Sequence, residues 1–395
     1  MATHRHDVLV IGAGNGGLAT AARLRRRGCS DVGLIEPSTR HVYKPLQNYV
    51  GLGLADAREL ERPQASLIPD GVTWHRTSAV HVDPVTRVVT CADGSEVAGA
   101  DVVLAPGMVI DWQALPGAAE AVQRGLAIST FDDALLERAW ERIRTFERGT
   151  AVFTLHGQPA SGRETALKPL LLACDHWRRE GVREAIEVVL VHDEPTLHTV
   201  PAIEEEWRRH FEAAGVDVRL GTRVAAIDGD ELVLASEGSE RRRRVDLLHL
   251  LPPYAAAPVV AASGLDGPGT GGFVDVDPET LRHATHPRVW AIGDAAALGD
   301  ARTGGALRKQ SRIVVENIRR ARAGDGLERY DGYTVAPVAT GGGRLSFAEY
   351  DRSGALRRSL PVRARDELRA HRAWYLLDRH VLPQVYWHGI VRGRA

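Results

Sequence analysis

Cysteine is scarce: three residues in 395, Cys29, Cys91 and Cys174. The number is odd, the spacing is wide, and no C-x-x-C occurs. That excludes a disulfide framework and a cysteine-built metal centre, and it fits a reducing, cytoplasmic compartment. An excess of either charge is also missing. With 50 Lys and Arg against 51 Asp and Glu the formal charge is −1, which excludes a general nucleic-acid binder. The basic run Arg241 to Arg244 lies between Glu240 and the apolar Val245-Asp246-Leu247-Leu248, and reads as a solvated turn. The 16 histidines are scattered. Pairs such as His4/His6 and His283/His286 lack supporting Cys or acids, so no metal is expected. The longest apolar stretch, Leu247 to Leu265, is broken by Pro252, Pro253 and Pro258, which excludes a transmembrane helix. Only Met1 to His6 precede the first strand, which leaves no room for a signal peptide.

What is present is concentrated at the start. Asp7-Val8-Leu9-Val10-Ile11 is a short β-branched run, the pattern of a strand buried on both faces. Gly12-Ala13-Gly14-Asn15-Gly16-Gly17 follows, then Leu18 to Leu24 with small and apolar residues at helical spacing, then the strand Val32-Gly33-Leu34-Ile35 ending at Glu36. Strand, G-x-G-x-x-G, helix, strand and acid in one unit form the dinucleotide fingerprint. Gly12 permits the tight turn, Gly14 admits a pyrophosphate, and Gly17 lets helix and strand pack closely. The helix N-terminus presents free N–H groups and a positive dipole end. Glu36 can accept from both ribose hydroxyls of an adenosine and would repel a 2′-phosphate.

After Glu36, Pro37 to Pro45 is a loop leaving the carboxyl end of a strand, where α/β folds bind ligands. A β-meander is expected over Val80-His81-Val82, Arg87 to Thr90 and Glu96-Val97, with turns at Asp83-Pro84 and Asp93-Gly94. Asp101 to Leu104 reads as a buried strand turning at Ala105-Pro106-Gly107. A helix is expected from about Phe131 to Phe146. A second βα set begins at Thr150 to Leu155, but the turn after it, His156 to Arg163, carries no G-x-G-x-x-G. Ala185 to His192 reads as a strand, Ile203 to Ala214 as a helix, and Val216 to Leu220 with Glu231 to Leu234 as further strands of the same sheet. Val289 to Asp294 brings the chain back. Thr303 to Leu307 opens a long helix to about Ala323. The remainder reads as strands at Arg344 to Glu349 and near Leu356 to Val362, then a terminal helix rich in Trp, Tyr and Leu.

A fingerprint at the N-terminus with Val289-Trp290-Ala291-Ile292-Gly293-Asp294 resembles the two-dinucleotide-domain flavoproteins. Glu36-Pro37-Ser38, His41-Val42-Tyr43-Lys44-Pro45, Val50 to Gly53, Leu251-Pro252-Pro253, Phe273 to Asp277, Tyr330 to Thr334 and Tyr386-Trp387 are similar to the sulfide:quinone oxidoreductase family in its mitochondrial-type branch. The resemblance runs from about Asp7 to Gly393. It implies an α/β fold with two Rossmann-like dinucleotide-binding domains, the FAD domain discontinuous, and a small C-terminal cap. The expected division is 1–112 and 281–329 for FAD, 113–280 for a second domain without an NAD fingerprint, and 330–395 for a flavin-shielding region. It also implies noncovalent FAD. The expected cofactor set is Gly12, Gly14, Asn15, Gly16, Gly17, Glu36, Pro37, Lys44, Ala79, Ala105, Pro106, Gly107, Gly293, Asp294, Thr303 and Gly304. Reduced flavin carries negative charge at N1 and C2=O, which the helix N-terminus at Thr303 to Ala306 would stabilise.

The chain departs from that family where the family does its chemistry. The resemblance implies one redox cysteine in the turn after the second domain's first strand, where this chain has Pro159-Ala160-Ser161-Gly162-Arg163. It implies the other after Tyr333-Thr334, where this chain has Val335-Ala336-Pro337. Cys174 lies on the following helix and reads as core. The expected function is therefore an FAD-dependent oxidoreductase without a disulfide relay, oxidising a small organic substrate at the flavin, with O2 or a quinone as acceptor. Two alternatives stay open: a quinone reductase with altered donor chemistry, and a non-catalytic flavoprotein sensor or scaffold. Candidate pocket residues, chosen by position, are Lys44, Ser161, Arg163, Glu164 and His198, each with a solvated-loop alternative. Membrane contact is expected to be peripheral at most, through the apolar stripe Trp374, Tyr375, Leu377, Val381, Leu382, Val385 and Trp387. Homodimer formation stays open.

Overall fold

The computed structural model describes residues 4–157, 160, 162–358 and 368–394. In chain order the first unit runs β1 (His4–Ile11), α1 (Asn15–Arg26), β2 (Val32–Ile35), α2 (Gln47–Val50), β3 (Val72–His75), β4 (Ala79–Asp83), β5 (Val88–Cys91) and β6 (Glu96–Leu104). These strands form one sheet in the order β3-β2-β1-β6-β5-β4. β1 pairs parallel with β2 and with β6, Val8 lying between Val32 and Asp101. A central parallel strand is covered on both faces, and Val8, Leu9 and Val10 have no exposed surface. Each such side chain contributes roughly 1.5–3 kcal/mol by burial. Gly17 explains how closely α1 lies on this sheet, since a Cβ there would sit 1.7 Å from the Gly12 carbonyl oxygen.

The second unit runs β7 (Ala127–Ile128), α3 (Leu136–Arg144), β8 (Gly149–Leu155), α4 (Leu167–Arg179), β9 (Ile186–His192), α5 (Pro201–Ala213), β10 (Val216–Arg219), β11 (Arg223–Asp228), β12 (Glu231–Ser236), β13 (Ser239–Arg244) and β14 (Leu247–His249). Its main sheet is parallel throughout, in the order β7-β14-β8-β9-β10. β15 (Val289–Ala291) then returns to the first sheet and pairs parallel with β6, Val289 opposite Val102. α6 (Gly304–Ala323) packs along α1. A hairpin of β16 (Thr334–Gly341) and β17 (Arg344–Tyr350) follows. The chain closes with α7 (Arg372–Leu376), a π-helical turn (Leu377–Val381) and α8 (Leu382–His388).

A buried carboxylate fixes the return. Asp101 is fully buried on β6, where it accepts from Trp290 Nε1 at 3.2 Å and Arg322 Nε at 2.8 Å and pairs with Arg288 at 3.3 Å. Burial still pushes its pKa up, against the pull of those donors. β15 and the far end of α6 are thus held to β6 by one side chain.

Three expectations from the sequence change. Arg241 to Arg244 is not a turn but part of β13, and Arg242, Arg243 and Arg244 pair with Asp228, Glu187 and Asp230. A strand can carry consecutive charges where acids on nearby strands and turns answer them. Glu231 to Leu234 does not continue the parallel sheet, because β11, β12 and β13 make an antiparallel sheet of their own. The strand at Arg344 to Glu349 pairs with Thr334–Gly341 across a Gly341-Gly342-Gly343 turn, all three glycines at positive φ. Leu356 makes only an isolated bridge to Tyr350, and residues 359–362 of the expected partner lie outside the described residues.

Candidate functional site

β1 ends in a turn that needs glycine. Gly12 has φ +90°, and a Cβ there would lie 2.4 Å from the Ala105 carbonyl oxygen, so the turn passes directly over Ala105 and Pro106. Gly16 packs on Ile292 and Leu307, within 3.2 and 3.0 Å of where its Cβ would stand. Gly14 differs: it is exposed, extended in backbone, and its Cβ position meets nothing within 4 Å. It caps α1 without any side-chain acceptor, so no side chain at the cap satisfies the first amides of that helix. At the next position, the Asn15 Oδ1 atom is buried without a partner.

The acid after β2 closes the other side. Glu36 accepts from the Ala13 amide at 2.7 Å through one oxygen and from the Ser38 amide at 2.8 Å through the other. A carboxylate has about four lone-pair sites, so capacity remains for two hydroxyls. Pro37 beside it is exposed, and Ala79, on β4, is half-buried. Ala105, Pro106 and Gly107 form a half-buried floor next to Gly12.

The late turn meets this groove. The Gly293 amide donates to Gln310 Oε1 at 2.8 Å, while Gln310 Nε2 donates to the Ala301 carbonyl at 2.7 Å. Gln310 is fully buried on α6 and fixes the Gly293-Asp294 turn to that helix. Asp294 is half-buried. Thr303 caps α6 by accepting from the Ala306 amide at 3.2 Å. A Cβ on exposed Gly304 would lie 3.6 Å from Asn15 Nδ2, so α1 and α6 start side by side. Two helix N-termini and an open glycine suit a pyrophosphate, and an acid with free capacity suits a ribose at one end, while the orphaned Asn15 oxygen can take only a donor such as a ligand hydroxyl.

A second wall comes from the other unit. The Gly162 amide donates to the Arg302 carbonyl at 3.1 Å, and Asn48 on α2 donates to the Thr165 carbonyl at 3.3 Å. The start of β16 is fastened to the same place: Thr334 Oγ1 donates to the Asp300 carbonyl at 3.1 Å and lies 3.0 Å from Thr303 Oγ1. A Cβ on Gly305 would stand 2.7 Å from Val335. The turn at 162–166 and Val335-Ala336 thus converge at the N-terminus of α6.

Of the candidate pocket residues, Lys44 is exposed in a 3-10 turn. Arg163 and His198 are not solvated loop residues. Arg163 is buried and paired with Glu194 at 2.9 Å and Asp300 at 3.8 Å. His198 is buried against Trp207 and Tyr350, and accepts from the Val200 amide through Nδ1 at 2.9 Å. Burial, with the Arg163 charge nearby, pushes its pKa down to about 4. Ser161 and the Glu164 side chain lie outside the described residues. All three cysteines are free. Cys29 follows α1, Cys91 is on β5, and Cys174 is buried in α4, where burial pushes its thiol up to about 11.

Four residues of the site are not among the candidates the sequence offers. His41 and Gln64 both reach the Ala13 carbonyl, at 3.0 and 3.3 Å. Gln310 holds the late turn. Asp193 accepts from the Gly157 amide at 2.8 Å. That contact was findable, since Asp193 follows a strand as Glu36 does.

Known proteins share the family and the fold of this chain. A family model described as pyridine nucleotide-disulphide oxidoreductase matches residues 6–324. The mitochondrial sulfide:quinone oxidoreductase of Dictyostelium discoideum is 28% identical over 396 residues, covering 98% of this chain and 86% of that protein. The type II NADH:quinone oxidoreductase NdhA of Mycobacterium tuberculosis is 27% identical over 318 residues, covering 73% of this chain and 66% of that protein. The solved sulfide:quinone oxidoreductase of Aquifex aeolicus shares the fold, with a TM-score of 0.83 at 18% identity over 99% of this chain and 92% of that one.

Proposed function

Because the chain belongs to the pyridine nucleotide-disulphide oxidoreductase family and is an FAD-dependent oxidoreductase, we propose that it oxidises a small organic substrate directly at the flavin, without a cysteine relay, and passes the electrons to a quinone or O2. Bound FAD supplies two-electron transfer between donor and acceptor. In this reading Gly12, Gly14, Gly16 and Gly17 with Asn15 form the pyrophosphate cradle. Glu36 takes the adenosine ribose, and Ala105 to Gly107, Gly293-Asp294 and Thr303-Gly304 line the rest.

The observation that carries the proposal is the chemistry of the second wall. Where the 162–166 turn meets β16, the residues are Gly162, Arg163, Val335 and Ala336, and none is a thiol. Thiolate is the nucleophile in every disulfide exchange step, and the Cys174 thiol is buried, with its pKa raised. Arg163 is held in ion pairs, and His198 stays neutral at pH 7. In this reading neither Arg163 nor His198, the two described candidates on this wall, acts as an acid or base, and their part is to shape the substrate side of the site. Quinone as acceptor rests on what the similar proteins are named for. The test is anaerobic reduction of the purified protein by a panel of small organic donors, followed by reoxidation with a short-chain quinone. Saturable reduction by one class supports the reading.

A second reading, NADH as donor, has one observation in its favour. Asp193 repeats toward Gly157 the contact that Glu36 makes with Ala13. The same stopped-flow experiment with NADH separates the two.

A further inference from the structure

Ala13 lies between the two fingerprint glycines, and both of its peptide groups are held. Its amide donates to Glu36 at 2.7 Å. Its carbonyl accepts from Gln64 Nε2 at 3.3 Å and faces His41 Nδ1 at 3.0 Å. A carbonyl can only accept, so the proton of His41 is on Nδ1. Burial pushes the pKa of His41 below its ordinary value, so the ring is neutral at pH 7. Its Nε2 is then an acceptor, and it receives the Tyr386 hydroxyl at 2.5 Å. His41 and Tyr386 are 3% and 2% exposed, so water does not compete for the contact.

Tyr386 stands on α8, near the end of the chain. Its ring lies 4.3 Å from Tyr43, and the neighbouring Trp387 carries Arg62 at 5.1 Å over its face. One imidazole therefore joins the last helix to the first glycine turn. The consequence follows from the peptide bond. In a trans peptide the carbonyl oxygen and the next amide hydrogen point in opposite directions. Holding the Ala13 carbonyl toward His41 turns the Gly14 N–H the other way, and Gly14 is the residue whose Cβ side meets open space.

We propose that His41 is a positioning residue for the cofactor turn and that the Tyr386 hydroxyl sets its grip, so that docking of the terminal helix governs how tightly FAD is retained. This rests on the reading that Gly12 to Gly17 cradle the FAD pyrophosphate. Tyr386→Phe keeps the ring on Tyr43 and removes only the hydroxyl. His41→Leu removes both links. His41→Asn keeps an N–H where Nδ1 stands and loses only the link to Tyr386.

The experiment measures the rate of FAD release from holoprotein, by recovery of free-flavin fluorescence, beside the thermal midpoint of each apoprotein. Tyr386→Phe and His41→Asn should release FAD about fivefold faster than wild type, the effect of one buried hydrogen bond. His41→Leu should be faster than either, with His41→Asn recovering part of the loss. Release within twofold of wild type in all three variants would overturn the proposal. So would a lowered apoprotein midpoint with release unchanged, which is the mark of a purely structural contact. Wild-type protein that binds no FAD would instead overturn the reading on which it rests.

Discussion

The amide of Gly157 donates to a carboxylate oxygen of Asp193 at 2.8 Å. Gly157 follows the last residue of β8 by two, as Ala13 follows that of β1, and Asp193 follows β9 as Glu36 follows β2. The two units share one backbone plan and differ in what fills it. Counted along the sequence from these contacts, His156, Gln158 and Pro159 correspond to Gly12, Gly14 and Asn15, and Glu194 to Pro37; residues 158 and 159 lie outside the described residues. A Cβ on Gly157 would lie 2.6 Å from Glu194 Oε1. A carboxylate held by Arg163 therefore stands beside the turn where a phosphate would approach.

NADH and NADPH should accordingly be poor reductants. Like charge beside the turn and the missing glycine cradle both oppose a pyrophosphate. Anaerobic stopped-flow mixing should show slow, unsaturable bleaching of the flavin. Fast bleaching that saturates at micromolar NADH would overturn this and favour the second donor reading.

The demands on Gly14, which is exposed, and on Gly17, which is buried, separate cleanly. Gly14→Val should leave the apoprotein folded, because the site around its Cβ is open, and should abolish FAD binding. Gly17→Ala should destabilise the fold itself by roughly 3 kcal/mol or more, because its Cβ would stand 1.7 Å from a backbone oxygen. The ratio of flavin to protein absorbance after reconstitution, read with the apoprotein thermal midpoint, distinguishes them. Full flavin occupancy in Gly14→Val would contradict the cradle.

Asp101 is the anchor on which β15 and α6 return. Asp101→Ala leaves Arg288 and Arg322 without their shared carboxylate and should cost about 3 kcal/mol. Urea unfolding of the two proteins at equal pH measures it. A difference below 1 kcal/mol, by the same kind of order-of-magnitude estimate, would remove Asp101 from that role.

Acid should weaken the fold through buried histidines. Burial lowers His249 to about 3 and His198 to about 4. An unfolded histidine protonates near pH 6.5, as ordinary peptides do, at roughly that value. Between about pH 6.5 and pH 4 the unfolded chain binds protons that the native chain refuses. Native stability then falls with falling pH by up to about 1.4 kcal/mol per unit for each histidine. His249→Gln should flatten the decline in urea midpoint between pH 7 and pH 5, and an unchanged slope would contradict the account.

Much of this site is written locally. Gly12, Gly14, Gly17 and Glu36 declare themselves by spacing within one βαβ unit, because the turn and the helix start need those residue types at those steps. Gly293-Asp294 is short, and acquires meaning only beside the first fingerprint. What was not legible joins distant parts of the chain. Asp101 to Arg322, His41 to Tyr386 and Gln310 to Gly293 carry no periodicity, since the partner of each is set by packing. Arg163 and His198 were placed by position alone, and nothing local in the sequence marks either as buried. Their burial comes from Glu194, Asp300, Trp207 and Tyr350, which lie on other elements. The Arg241 to Arg244 strand was missed for the same reason, its acids being on β11, β12 and β9 or in the turn between β11 and β12.

The central claim is that this flavoprotein works without a sulfur relay. The direct measurement is steady-state sulfide oxidation with a short-chain quinone and a sulfur acceptor, comparing wild type with Cys174→Ala. The account predicts no cysteine-dependent turnover, and any slow bleaching of the flavin by sulfide should be the same in both proteins. Robust turnover in wild type that disappears in Cys174→Ala would contradict it and make Cys174 the relay.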